Sequence, residues 1–434
     1  MNKILLAGIL AVFVLCGCKD NSETPPPETE PVSCLPDVAD MYVFPITPGS
    51  DDWNVLEADE LLIACQLPDG VLKSISTEGL IRSFLEVAII AMEYNDFTGE
   101  PYLGWEIDLY TSINSVQELL IRNDASEALL RYCEAIDFNC VGKMGIKERE
   151  WFSVRYEALI RLFMRQTILD SLNEADKNKI VDWLIFNYTK IKELNQKGLN
   201  DQYSDYVMAV IMHTLLSEQL EEQFSDCDDI IITDEECLPD VADKYIYPDL
   251  PAHEHYYLQI PSDVLENIST FGLIRSCLDY PYLAAHWAFQ SDLGLDRIKN
   301  IYSRRNCNHE LIGRSDAGDA LLRYYHAISF DCLNPNPYST HAERLTIQIQ
   351  ISSVAFFLTQ QEILDQLDKK KVVALLLSKN GQARIRQSSG YGTVEAMNIA
   401  MRNAQYQPVI EHLREDIYAD QRIDLIIFAI NFIR

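Results

Sequence analysis

Apolar residues along the body of this chain recur at steps of three and four. Ala128, Leu129, Tyr132, Ala135 and Ile136 form one such stripe, the spacing that gathers side chains on one face of an α-helix. Asp124 and Glu127 precede it in the D-x-x-E relation of a capping box, and Asp316 and Asp319 repeat the signal in weaker form. Asn173 marks another helix start, followed by Ile180, Leu184, Ile185 and Tyr188 on one stripe. Arg155 to Leu172 and Arg344 to Leu367 read as two long helices. Within the second, Ile347, Ile349 and Ile351 alternate with Gln348 and Gln350, a local strand-like pattern. Alternation is never sustained and hairpin dipeptides are few. The pattern predicts an all-α protein.

The same pattern occurs twice. Cys34-Leu35-Pro36-Asp37-Val38-Ala39-Asp40-Met41-Tyr42 returns as Cys237-Leu238-Pro239-Asp240-Val241-Ala242-Asp243-Lys244-Tyr245. Ile75 to Ser83 returns from Ile268 to Ser276 with only Glu78 changed, to Phe271. Glu118 to Cys140 matches Glu310 to Cys332 at constant offset, and Gln166 to Leu172 matches Gln361 to Leu367 more weakly. These matches predict two tandem homologous helical domains, over 34–225 and 237–434. Each should hold about six to eight helices, as a bundle or a short α-solenoid. The retained residues Asp37, Ser76, Thr77, Arg131 and Tyr132 read as caps and core contacts, because both copies must fold. The acidic stretch 226–236 between the copies lacks the alternate acids and central Gly of a calcium loop, and reads as a hinge.

At the N-terminus the pattern changes. Lys3 precedes an apolar run from Ile4 to Leu15, too short for a lasting membrane span, and Leu15-Cys16-Gly17-Cys18 closes it. This closing tetrad resembles the lipobox of bacterial lipoproteins, with Cys16 an uncommon occupant of its position. The resemblance implies a signal peptide over 1–17, cleavage before Cys18, and lipid on the Cys18 thiol as the attachment to the membrane. Residues 18–33 then carry Pro25, Pro26, Pro27 and Pro31 among Glu and Thr. They predict an extended, disordered stalk reaching about 45 Å. Lys19 and Asp20 after the lipidated Cys resemble the surface-export signal of Bacteroidetes lipoproteins, although Asn21 stands where a second acid is expected. An outer-membrane anchor follows, with the cell surface favoured over the periplasmic face.

Charge narrows the partners. The net charge is −30, divided as roughly −27 over residues 19–236 and roughly −4 beyond. Such acidity opposes nucleic-acid binding, whose phosphates require Lys and Arg. The apolar run Leu425 to Ile433 holds Asn431 and is flanked by Arg422 and Arg434. A buried terminal helix accounts for it better than a membrane span.

Of eleven cysteines, Cys16 leaves with the signal and Cys18 takes lipid. An oxidising envelope permits disulfides among the rest. Cys34 and Cys140 are retained in the second copy as Cys237 and Cys332. One arithmetic pairs Cys34–Cys140, Cys237–Cys332, Cys65–Cys133 and Cys277–Cys307, leaving Cys227; Cys34–Cys65 competes with the first. Buried thiols packing as small hydrophobes are the simpler alternative. His253 and His255 are the one close histidine pair, with no accompanying metal motif, so no metal site is expected.

No nucleophile elbow, P-loop or dinucleotide fingerprint stands in a fitting context, and no cofactor is implied. Gly390-Tyr391-Gly392 follows Ser388-Ser389 in a polar loop. Tyr256, Tyr257, Tyr280, Tyr282 and Trp287 form the densest aromatic stretch, read as core and loop packing. The sequence thus predicts a non-catalytic interaction or scaffold lipoprotein, held to the membrane through Cys18, with an envelope protein or glycan as partner. The alternatives are an all-α envelope enzyme acting on polysaccharide or peptide, and a surface glycan-binding protein.

Overall fold

The computed structural model describes residues 33–88, 110–163, 165–195, 237–249, 258–281, 283–288, 294–330, 341–385, 393–406 and 420–434, with single positions between 212 and 224. Every regular element among the described residues is a helix. The first copy has α1 (Ala58–Ala64), α2 (Asp69–Leu72), α3 (Thr77–Val87), α4 (Asn114–Ile121) and α5 (Ala125–Glu134). A 3₁₀ turn (Phe138–Lys143), α6 (Ile146–Leu162), α7 (Gln166–Leu169) and α8 (Glu174–Asn195) follow. The second has α9 (Ser262–Asn267), α10 (Thr270–Leu278), α11 (Leu283–Ala288), α12 (Gly294–Tyr302), α13 (Asn306–Gly313) and α14 (Ala317–Ala327). It ends with α15 (His341–Leu358), α16 (Gln361–Leu364), α17 (Lys369–Ile385), α18 (Thr393–Asn403) and α19 (Asp420–Ile433). The protein is all-α. The second copy, with eleven described helices, exceeds the expected number.

The retained sequence patches build one polar frame, present in both copies. Ser76 caps α3 by accepting from the Gly79 N–H at 2.9 Å, and Ser269 caps α10 from Gly272 at 2.9 Å. Asp40 then clasps each cap from outside, accepting from the Ser76 N–H at 2.6 Å and its hydroxyl at 2.9 Å; Asp243 does the same to Ser269 at 2.7 and 3.0 Å. The carboxylate comes so close that a Cβ on Gly79 would meet Asp40 Oδ1 at 2.7 Å, which explains why the third helical residue is Gly in both copies. Farther along, the Tyr42 N–H donates to Ser83 Oγ at 2.9 Å and the Tyr245 N–H to Ser276 Oγ at 2.7 Å. These bonds lay the Cys-Leu-Pro-Asp segment across α3 and α10.

A second set of bonds fastens α4 and α13. Asn114 exchanges hydrogen bonds with the Leu67 backbone, donating and accepting at 2.8 Å, while its own N–H donates to Gln66 Oε1 at 2.8 Å. Asn306, Ile260 and Gln259 repeat this. Arg122 donates to the carbonyls of Ile75 at 2.8 Å and Leu72 at 3.0 Å, and Arg314 to those of Ile268 and Leu265 at 2.8 and 2.7 Å. The planar guanidinium satisfies two orphan carbonyls at once, a task a Lys ammonium performs poorly.

The capping box expected at Asp124 and Glu127 is not formed. Asp124 precedes α5 but its side chain makes no cap bond; it accepts instead from Thr77 Oγ1 at 2.8 Å, tying α5 to the start of α3. Asp316 and Thr270 do the same. Glu127 is drawn to Arg131, which also pairs with Glu78 at 2.6 Å on the exposed side. A long-range hydroxyl thus displaces the local cap.

The two expected long helices are each broken. α6 stops at Leu162 and α15 at Leu358, and α7 and α16 restart with Gln166 and Gln361. At the second break Thr359 closes a three-residue turn, with its N–H and its hydroxyl both reaching Phe356 O, at 2.9 and 2.7 Å. The Ile347, Ile349 and Ile351 alternation is helical, inside α15. α19 buries Leu425, Ile426, Ala429 and Ile430. No helix among the described residues is long and apolar enough to cross a membrane.

The buried apolar residues form one cluster running through both copies. Phe224, from the stretch after α8, stacks on His326 of α14 with ring centroids 5.5 Å apart. The final residue, Arg434, donates to Asn178 on α8 at 2.8 Å and pairs with Asp182.

Candidate functional site

Several residues singled out by the sequence lie outside the described residues: the anchor Cys18 with its stalk, Cys227, Cys332, His253, His255, Tyr256, Tyr257, Tyr282 and Gly390 to Gly392. Among those described, Cys34 and Cys140 are joined by a disulfide, with Cα atoms 5.6 Å apart and a sequence separation of 106. The bond closes the first copy, beside a hydrogen bond from the Asp137 N–H to Cys34 O at 3.1 Å. Cys237 is also disulfide-bonded, and the Ser329 N–H donates to its carbonyl at 3.0 Å, at the place matching Asp137.

The pairings Cys65–Cys133, Cys277–Cys307 and Cys34–Cys65 are not formed. Cys65, Cys133, Cys277 and Cys307 are thiols, all buried. Cys65 and Cys133 fill core positions as small hydrophobes. Burial raises the pKa of Cys133 well above the usual thiol range, the reverse of what a nucleophile needs.

Matching the two copies through their shared frame exposes a difference that neither shows alone. Phe44, Phe84, Val87, Ile113, Ser115 and Val116 of the first copy become Tyr247, Cys277, Tyr280, Arg305, Cys307 and Asn308 in the second. Tyr110 is kept as Tyr302. An ordinary apolar contact between α3 and α4 thus becomes a polar and thiol cluster between α10 and α13.

In that cluster Arg305 is only 5% exposed. Its guanidinium carbon lies 3.6 Å from the centre of the Tyr280 ring, and it donates to Leu258 O at 2.7 Å. These contacts offset part of the cost of burying a cation; its Nε has no hydrogen-bond partner. The Tyr280 hydroxyl lies 3.4 Å from His286 Nδ1, and Tyr247 meets the Tyr280 ring edge-on at 6.0 Å. Tyr302 donates to Cys277 O at 3.0 Å. Cys277 and Cys307 are both almost fully buried. Burial pushes the Cys277 thiol and the Tyr247 and Tyr302 hydroxyls well up from their ordinary values.

This arrangement keeps the Cys277 thiol protonated and Tyr247 and Tyr302 neutral. It is suited to holding a buried cation and a dithiol, and poorly suited to nucleophilic attack. No group of three or more His, Cys, Asp or Glu able to hold a metal occurs among the described residues. Asp40 and Asp240, whose pKa values move, are held below the usual carboxyl range by the Ser76 N–H and by Lys244 respectively. A catalytic general acid requires the opposite shift.

Arg305, His286, Tyr247 and Asn308 drew no attention in the sequence because they come from three separate stretches of the chain and no motif links them. The signal was the substitution of one copy against the other. No protein-family model, no curated protein and no solved structure matches this chain.

Proposed function

We propose that this chain is a lipoprotein of the bacterial cell envelope, anchored through lipid on Cys18, that acts as a non-catalytic interaction or scaffold protein. The observation that carries this reading is the tetrad Leu15-Cys16-Gly17-Cys18 after a charged and apolar leader. Prolines and acids follow Cys18, as a spacer between membrane and folded body requires. In this reading two tandem domains, 34–225 and 237–434, are joined by the 226–236 hinge.

The retained polar residues also fit a scaffold. Asp40, Ser76, Thr77, Asn114, Arg122 and Asp124 are consumed by bonds to one another or to backbone. What both copies preserve is architecture, so binding falls to surfaces where they differ.

The anchor is tested by detergent phase partitioning and mass spectrometry of the N-terminal peptide. The parent should enter the detergent phase with a diacylglycerol-modified Cys18, and Cys18→Ser should stay aqueous. An unmodified mature N-terminus would refute the anchor. Protease shaving of intact cells reports the face of the membrane, and cross-linking on the same cells reports the partner. Failure to capture any reproducible neighbour would refute the scaffold role.

A further inference from the structure

Arg305 and Asn308 stand at two positions that are apolar in the first copy, where Ile113 and Val116 are completely buried. The replacements lie as deep, at 5% and 6% exposure, and each keeps a polar atom with nothing to bond. Neither the Arg305 Nε donor nor the Asn308 Oδ1 acceptor has a hydrogen-bond partner. The backbone adds a third such group. The Val116 N–H donates to Ile113 O at 3.0 Å, and no matching bond joins Asn308 to Arg305 among the described residues. Arg305 also lacks a carboxylate partner among the described residues, whereas Arg275 on α10 and Arg314 after α13 pair with Asp279 and Glu310.

Orphaned polar groups in a core cost stability that an apolar pair avoids, as the first copy demonstrates. The Leu258 carbonyl and the Tyr280 ring occupy one nitrogen and the face of the guanidinium, and so fix its place without using Nε. Arg305 directly precedes α13 and Asn308 lies in its first turn. The orphan groups therefore come from a helix N-terminus, where the backbone's partial positive charge favours an anion. Their pattern also specifies which anion. Two are donors beside an unpaired cation, and call for a negatively charged oxygen. The third is an acceptor, and calls for a hydroxyl on the same ligand.

We infer that Arg305 and Asn308 form an anion-binding site specific to the second copy, which takes a small oxyanion carrying a hydroxyl, of the phosphate or bicarbonate class. The anion accepts from Arg305 Nε and from the Asn308 N–H, and its own O–H donates to Asn308 Oδ1. Sulfate brings the charge without the hydroxyl at neutral pH, and leaves Asn308 Oδ1 orphaned. Because both residues are buried, the anion enters during folding or a local opening of the α10–α13 contact. The net charge of −30 repels anions from the rest of the surface, so retention of one by this chain reports a built site. The inference does not depend on the membrane anchor.

The test is equilibrium dialysis of the purified full chain against radiolabelled inorganic phosphate and, separately, bicarbonate, at fixed ionic strength and neutral pH. The expected result is saturable retention of a single equivalent of one or both anions; which of them is held identifies the shape the site accepts. Sulfate should compete about tenfold less well, the loss of one charge-assisted hydrogen bond. The double variant Arg305→Ile with Asn308→Val installs the first copy's residues, and should retain neither anion at unchanged helicity. If that variant misfolds, Asn308→Val alone serves: it should bind more weakly and lose the preference over sulfate. No saturable retention of either anion by the folded parent would overturn the inference. So would sulfate competing as well as the retained anion, or undiminished retention by the folded double variant.

Discussion

Single residues in this protein act mostly through backbone. Arg122 and Arg314 each bridge two carbonyls with one guanidinium, and both are largely buried. Replacing either with Ala should cost about 1–3 kcal/mol, because the carbonyls lose charge-assisted donors. Lys should rescue little, since it cannot span both acceptors. Urea unfolding of the four variants would show this, and a full rescue by Lys would discount the bridge. Gly79 offers a sharper case. Ala there drives a methyl into the Asp40 carboxylate and the Ile75 side chain, at a cost of about 1–3 kcal/mol. Combined with Asp40→Ala the penalties should fall short of additive, because the first clash is gone.

Asp40 also carries a pH signature. Its folded pKa is below the ordinary carboxyl value of 3.8, chiefly through the Ser76 N–H. The stabilisation is therefore complete above that value and is lost as pH falls through the lower, folded one. Asp40→Asn should melt below the parent at neutral pH, and the gap should narrow only as the solution is acidified past about pH 4. A gap that stays constant from pH 6 to pH 2 would refute this assignment.

At the scale of elements, periodicity revealed the helices that follow Asp124 and Asn173, and Asn173 caps α8 by accepting from the Asp176 N–H at 3.0 Å. The failures share a cause. Asp124 had a good local reason to cap α5, and a hydroxyl 47 residues away in sequence took its carboxylate instead. The breaks after Leu162 and Leu358 carry neither Pro nor Gly, so no breaker announced them. The clasp of Asp40 on Ser76 spans 36 residues and is invisible to any window-based reading. Only its recurrence as Asp243 and Ser269 hinted that the pair acts together. The cluster around Arg305 was hidden for a related reason, since Arg304-Arg305 just before α13 reads as surface until the Tyr280 neighbour is known. Thr77→Val removes the hydroxyl while keeping the shape. It should orphan Asp124 and destabilise by about 1–2 kcal/mol, with faster amide exchange at the start of both α3 and α5. Exchange confined to α3 would argue against the tie.

For the whole molecule, one apolar cluster and the Arg434 contact join parts far apart in sequence. Arg434→Ala removes a half-exposed ion pair, so its cost should not exceed about 1 kcal/mol. Its signature is local: faster amide exchange along α8 around Asn178 and Asp182, 256 and 252 positions away in sequence. Unchanged protection there would show that the C-terminus contributes nothing to α8. The charge imbalance between the copies acts at this scale as well. Self-repulsion in the acidic first half predicts stability rising with salt up to about 0.15 M, where screening acts within about 8 Å.

The reciprocal bonds of Asn114 with Leu67 and Gln66, and of Asn306 with Ile260 and Gln259, carry a genetic consequence. Similar stretches within one gene invite recombination between them. A crossover between matching points exchanges whole clasps, because each donor finds an acceptor of the same kind in the other copy. The buried α10–α13 contact does not share this tolerance. A crossover that brought Ile113 beside Tyr280 would leave a tyrosine without its cation. The polar frame is thus interchangeable between copies, while the core behind it holds their separate identities.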